Sequence, residues 1–272
     1  MSIIFAILLT SSLVLAVAPV IIVDDGSGTP SYVVDKGYLN QIREGNIENH
    51  SFVSIQGNNL TIGTALEEVS DLGTVGFGNW PAAALGAILV SDNIADDTGG
   101  TGAITVIVRG LDSSYIAASE NVTLDGTTPA TITTQTFLRI HELEVVTSGS
   151  GLTNAGTITA SIGGVDIIAM LPGHSKSMSG RYTVPAGKTL YLQNAEGSVI
   201  NGKDCVFHLF TRDTVTANSP FILQKVWGTK DAGYMPNGLM EAIPEKYDVI
   251  LLGEGEAAAS IVQGSVEGWE EE

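Results

Sequence analysis

Apolar and polar residues alternate with a period of two along much of the chain after residue 100. Ile104, Val106 and Val108 are interleaved with Thr105, Ile107 and Arg109, the spacing that sends successive side chains to opposite faces of a strand. Val122-Thr123-Leu124 runs into Asp125-Gly126, a dipeptide suited to a two-residue hairpin turn with positive φ at both central positions. Phe137 to Val146 also alternates, but the phase slips near His141-Glu142, which predicts a β-bulge there. Thr157–Ile162 and Val165–Leu171 are separated by Gly163-Gly164 alone, a second hairpin signal. Val184-Pro185-Ala186-Gly187 places Pro second and Gly last in a type I turn. Lys188–Gln193, Cys205–Thr211, Phe221–Trp227, Asp248–Leu252 and Ser260–Gln263 continue the series. About ten short strands with no amphipathic helix between them predict an all-β fold. The expected architecture is an antiparallel β-sandwich, jelly-roll or Ig-like, over residues 100–266.

The pattern is different before residue 100. Residues 1–23 carry no charge and include Ile3, Ile4, Phe5, Leu8, Leu9 and Leu13. Three readings of this apolar N-terminal segment stay open. It is long enough for a membrane anchor, although Thr10, Ser11 and Ser12 interrupt it and no cation precedes Lys36. Ala16-Val17-Ala18 has the form of a signal cleavage site, but the basic start of a signal is missing. The third reading is an arm buried among neighbouring subunits. Residues 24–35, rich in Gly, Ser and Asp, read as a linker. Residues 36–99 read as irregular, with a short helix from Thr64, which has Glu67 at capping-box spacing. Ala82–Val90 is an apolar run that fits a strand or a helix. Residues 267–272 read as a solvated acidic tail.

Composition narrows the function classes. Twelve Lys and Arg against 30 Asp and Glu give the 272-residue chain a net charge of −18, which argues against nucleic acid as a partner. Charged residues are 15% of the chain against about 25% in an average domain. The 32 glycines suit turns and strands better than helices. One Cys, Cys205, excludes an intrachain disulfide and a cysteine-rich zinc site; it alternates with Phe207 and Leu209 and reads as a core residue.

Candidate chemistry is sparse. Gly187-Lys188-Thr189 lacks the earlier glycine of a phosphate loop, since Tyr182 stands there. Gly253-Glu254-Gly255-Glu256-Ala257-Ala258 has too little chain after it for a dinucleotide fold. His50, His141, His174 and His208 are far apart and have no metal-ligand spacing; His208 is expected on the strand face opposite Phe207 and Leu209. His174-Ser175 offers the beginnings of a Ser/His/Asp site without a nucleophile elbow. Asp92, Asp96 and Asp97 form either a calcium loop or a solvated acidic loop. Asn49, Asn59 and Asn121 stand in N-glycosylation triplets. Arg109-Gly110-Leu111-Asp112 is a broken integrin-type tripeptide and reads as a strand end and turn.

An ordered series of segments carries a resemblance: T-G-A-I-T-V-I-V-R-G-L-D-S-S-Y (101–115), S-E-N-V-T-L-D-G-T-T-P (119–129), F-L-R-I (137–140), T-N-A-G-T-I-T-A (153–160) and Y-T-V-P-A-G-K-T-L-Y-L (182–192). Together they resemble a β-rich family of virion structural proteins from marine tailed bacteriophages and large algal DNA viruses. I-P-E-K-Y-D-V (243–249) fits that family's closing strand. The resemblance spans roughly residues 75–265 and leaves residues 1–23 outside it. It implies a particle protein at the capsid surface, vertex or tail, with no activity to carry over residue by residue.

The resulting expectation is a non-enzymatic structural subunit of a virion, without catalytic, cofactor-binding or metal-binding residues and without a cofactor. Its partners would be copies of itself and other virion proteins, with membrane contact through residues 1–23 as an alternative. Two rivals place it outside the cell or on its surface. One is a filament or layer protein with a buried apolar stem. The other is a carbohydrate-binding adhesin that stacks sugars on Trp80, Trp227, Tyr182 and Tyr191.

Overall fold

The structure is a computed structural model of the chain. Its described residues are 20–23, 31–34, 38–131, 134–200, 203–229, 232–235, 242–256 and 260–272. It is almost wholly β, with 56% strand and 2% helix, and divides into two units, Met1–Ile47 and Glu48–Glu272.

In the first unit, β1 (Val20–Val23) pairs antiparallel with β2 (Ser31–Val34), and α1 (Tyr38–Arg43) follows. Part of the expected linker is therefore strand, because Ser31–Val34 offers β-formers opposite Val20–Val23. The three readings of residues 1–19 lie outside the described residues. Among the described residues no helix is long and apolar enough to cross a membrane.

The second unit contains a jelly roll interrupted by a second sandwich. One sheet of the jelly roll runs β16 (Ala232–Met235), β13 (Thr189–Val199), β18 (Ser260–Glu271), β3 (His50–Ile62). The other runs β12 (Arg181–Thr183), β17 (Tyr247–Gly255), β14 (Cys205–Asp213), β15 (Ile222–Thr229). The antiparallel pairs nest one inside the next: β14 with β15, β13 with β16, β12 with β17, β3 with β18. Rolling such a nested hairpin, with β13 joined sideways to β18 and β14 to β17, gives two facing sheets. Of the two sandwich types expected, the jelly roll is the one formed.

The core between these sheets holds Val53, Ile55, Leu190, Leu192, Phe207, Leu209, Leu251 and Val266 among others. Phe207 lies over Gly197 and Gly264 of a transverse row of glycines, Gly197, Gly264 and Gly57, paired strand to strand, while Gly57 faces Val69 and Gly180. A Cβ on Gly197 would come within 2.4 Å of the Phe207 ring. The bare backbone is what lets the second sheet approach there.

The strand ahead of β13 is split. β4 (Glu67–Glu68) and β12 both pair with β17, at Leu252–Gly253 and at Asp248–Ile250. The ladder is continuous across the gap, with Val69 N donating to Leu251 O and Leu251 N to Gly180 O. The chain thus leaves the jelly roll after Val69 and returns at Gly180. Gly180 has φ +59° and would carry a Cβ 2.3 Å from Val69 O, so departure and return crowd against a glycine.

The excursion forms a second core from β5 (Ala87–Ser91), β6 (Ala103–Leu111), β7 (Ala117–Thr123), β8 (Ala130–Thr131), β9 (Arg139–Ser148), β10 (Ile158–Ile162) and β11 (Val165–Met170). Its sheets are β11-β10-β5-β8 and β7-β6-β9. They enclose Leu89, Val106, Val108, Phe137, Leu143, Ile158 and Met170.

Several local expectations are met. Gly163 and Gly164 turn β10 into β11 with φ of +61° and +82°. His141 is the bulged residue, since Arg109 pairs with Glu142 and Gly110 with Ile140. Others need correction. Residues 36–99 are not irregular: they supply β3, β4 and β5, and β3 pairs with β18 along nearly its whole length. The helix expected at Thr64 is absent, and Glu67 is in β4, because pairing with β17 overrides a local cap. Residues 267–272 are not a free tail: Glu267 to Glu271 belong to β18, with Trp269 and Glu270 buried. Asp125-Gly126 turns the chain, but Asp125 bridges to Asp97 and Thr128 instead of closing a two-residue hairpin. Lys188 N bonds to Pro185 O, so that turn starts at Pro185, with Gly187 at φ +78°.

Candidate functional site

The densest polar assembly lies where the inserted sandwich meets the jelly roll. Arg139, at the start of β9, reaches across to Asp248 on β17 with Nε 2.9 Å from Oδ1 and Nη2 3.1 Å from Oδ2. Asp248 is fully buried and also accepts from Arg212 Nη2 at 2.5 Å and from Thr183 Oγ1 at 2.7 Å. Beside it, Arg181 on β12 forks onto the buried Glu68 of β4 through Nη2 and Nε. Burial pushes the Glu68 carboxyl up from its ordinary range, and Arg181 opposes that rise.

Trp80 roofs this network. The guanidinium carbons of Arg181, Arg139 and Arg212 stand 5.1, 5.2 and 5.5 Å from its ring, within range of cation–π attraction. Its indole N–H donates to Phe77 O at 2.6 Å. Phe77 meets Phe210 edge-on at 5.0 Å and stacks on Phe221 at 4.5 Å, so this loop lies across the outer face of β14. Three arginines face two carboxylates, and a cleft of about 360 Å³ lined by Trp80, Arg139, Arg212 and Thr216 opens beside them. The geometry is one of charge pairing, and these groups hold the insert in register on the jelly roll.

A larger cavity, about 540 Å³, lies between the β6–β7 hairpin of the insert and the end of the jelly roll. Leu111, Ile116, Ala118, Pro185 and Ala186 give it aliphatic walls, and His141, Tyr182 and Glu270 give it polar groups. Tyr182 Oη donates to Glu270 Oε1 at 2.6 Å. Glu270 is 5% exposed; its carboxyl is raised by burial, against the Tyr182 hydrogen bond and the Lys188 charge. His141 packs on the Tyr182 ring at 4.5 Å, and its Nε2 accepts from Thr183 N at 3.1 Å. That bond leaves the proton on Nδ1. Burial, with Arg139 nearby, lowers the imidazole to about 4 against a weaker pull upward from Asp248.

The residues singled out from sequence are placed as follows. His174 Nδ1 lies 3.4 Å from Asp71 Oδ2, but Asp71 is also held by Asn58 and by Met178 N. Among the described residues no serine hydroxyl bonds to that histidine, so the triad is not assembled. His50 reaches Glu271 at 3.1 Å, and His208 sits on the outer face of β14, 3.8 Å from Glu254.

Asp96 is fully buried and accepts from Ser91 Oγ, Ala103 N, Ala155 N and Gly156 N at 2.6 to 2.8 Å. It staples the β5–β6 loop to the chain before β10, while Asp92 accepts from Thr157 N and Asp97 from Thr98 N. The three aspartates therefore serve backbone donors, and no cluster of three metal-ligating side chains is present among the described residues. Cys205 is buried, with its thiol pushed up to about 11 by burial. Asn59 is buried and donates to Glu68 O, so of the three sequons only those at Asn49 and Asn121 are exposed.

The four expected sugar-stacking aromatics do not form one platform. Trp227 stacks on Phe207 in the core, Tyr191 on Trp269, Trp80 faces arginines and Tyr182 borders the cavity. Sequence reading passed over Arg139, Arg181 and Asp248 as site residues and placed Glu270 in a solvated tail, where it is in fact buried. A signal was there: in a chain with only 12 cations, Arg139 stands between Leu138 and Ile140, and a charge inside an apolar strand needs a buried partner.

The fold and site together define an antiparallel jelly-roll body carrying an inserted β-sandwich. No protein-family model matches the chain, and no curated protein matches it. Among solved structures, the vicilin from Solanum melongena aligns over 82% of this chain and 76% of its own, with 9% identity and a TM-score of 0.12, a level that carries no argument about fold or function.

Proposed function

We propose that the protein is a non-enzymatic structural subunit of a virus particle, at the capsid surface, the vertex or the tail, working through contacts between copies of itself. The observation that supports this reading is an apolar strip on the outer face of the jelly roll. Val206, Leu223 and Val226 stand exposed on the outer face of adjacent strands β14 and β15. In a chain of net charge −18, such a strip suits burial against another subunit. The jelly roll is an architecture of viral capsid and lectin domains alike, so fold by itself does not choose between them. The uncharged residues 1–23, in a unit separate from the body, suit an arm that joins neighbours.

The test is microscopy of the purified full chain beside the double variant Leu223→Asp/Val226→Asp. Regular assemblies from the parent chain, lost in a variant with unchanged circular dichroism, support the proposal. A parent chain that stays monomeric at high concentration in salt-rich buffer overturns it.

A further inference from the structure

We propose that the cavity between the β6–β7 hairpin and the end of the jelly roll binds a neutral polyhydroxylated ligand, such as the terminal residue of a saccharide. Its size, about 540 Å³, falls within the usual range of small-molecule sites, about 300–1,000 Å³. The floor is built from three places far apart in sequence. His141 is set by the bulge in β9, Tyr182 by β12 and Glu270 by β18.

Glu270 is the central group. It stands on the inward side of β18, in the same alternating row as Val266 and Gly268, where a carboxylate is out of place unless something uses it. One oxygen accepts from Tyr182 Oη. The other has no hydrogen-bond partner among the described residues and borders the cavity, where solvent reaches it. Solvent in the cavity meets that oxygen, and a ligand hydroxyl would take the solvent's place as its donor. His141 supplies the complement: with Nε2 occupied by Thr183 N, its Nδ1–H is a donor, and no acceptor meets it among the described residues.

The charges around the mouth select a neutral ligand. Lys188 pairs with Glu272 at 2.8 Å, and Arg109 pairs with both Glu142 and Glu144. With their charges answered by these carboxylates, the rim cations offer little to an anion. Glu270 in the floor disfavours a carboxylate or phosphate, and the His141 donor finds no acceptor on an ammonium ligand. A hydroxyl both donates and accepts, which matches an acceptor and a donor lining one cavity. The aliphatic walls, with the Tyr182 ring below, suit the C–H faces of a sugar ring. This site is independent of the apolar strip on β14–β15, so its failure leaves the assembly reading untouched.

The experiment is saturation-transfer NMR on the full chain, which works on large assemblies as well as monomers. The probes are glucose, galactose, mannose, N-acetylglucosamine and their common disaccharides, with acetate and methylammonium as charged comparators. Two variants accompany the parent chain. Glu270→Gln keeps the shape and the Tyr182 bond while turning the free acceptor into a donor. Ala117→Trp places a large ring over the mouth from an exposed strand position. The expected result is saturable binding of at least one sugar, weakened at least tenfold by Glu270→Gln and abolished by Ala117→Trp. If Glu270→Gln does not fold, the Ala117→Trp arm decides alone. No saturable sugar binding, sugar binding that survives Ala117→Trp, or tighter binding of either charged comparator overturns the proposal.

Discussion

Arg139 and Asp248 are 109 residues apart in sequence and form a two-point ion pair, at 2.9 and 3.1 Å, in the buried seam between the inserted sandwich and the jelly roll. Asp248 is the hub, because Arg212 and Thr183 converge on it as well. Removing one partner of a buried pair costs about 3–5 kcal/mol, since the remaining charge stays desolvated. Asp248→Asn should therefore lower the urea unfolding free energy by about that amount. Arg139→Met should cost less, because Asp248 keeps Arg212 and Thr183. Equal losses from the two variants would contradict the hub role.

His141 gives the body an acid-sensitive element. Its imidazole titrates near 4 in the folded chain against an ordinary value of about 6.5. The unfolded chain then binds more protons between those values, so this residue's contribution is complete above about pH 6.5 and is lost as pH falls towards 4. The loss is at most about 3 kcal/mol. Glu68, Asp71 and Glu270 are raised by burial and act in the opposite sense, losing stability as pH rises through their folded values. His141→Gln keeps an acceptor for Thr183 N. Urea midpoints of parent and variant, measured from pH 4 to 7.5, should converge at acid pH and separate towards neutrality. Parallel curves would contradict the assignment.

Asp96 tests whether the acidic loop is a staple or an ion site. Four donors already occupy its oxygens, and hydrogen bonds to a charged group are worth about 1.5–3 kcal/mol each. Asp96→Asn turns one oxygen into a donor facing donors, and should cost about 3 kcal/mol or more. Calorimetry of the parent chain in calcium and in chelator should give the same Tm, whereas a calcium-dependent rise would restore the ion reading.

The all-β character and many strand positions were legible because a period of two survives wherever one face is buried. Gly163-Gly164 and the His141 bulge were readable for the same local reason: a turn or a phase slip leaves its mark within a few residues. The jelly roll itself was not legible. It depends on β3 meeting β18 and on β4 and β12 sharing β17, and nothing in residues 50–68 states which distant strand they join. Residues 267–272 misled because four glutamates look solvent-bound, while Trp269 and the pairing with β3 and β13 take them into the sheet. The cavity was hidden because His141, Tyr182 and Glu270 come together only after the insert has folded back on the jelly roll.

Solution mass tests the account's central claim most directly. The full chain and residues 24–272 would be measured side by side by light scattering, with and without detergent and liposomes. The account predicts that the full chain forms discrete assemblies without lipid, while the truncated chain stays smaller and folded. A full chain that is monomeric in plain buffer, or that assembles no further than its truncated form and partitions into liposomes, would contradict it.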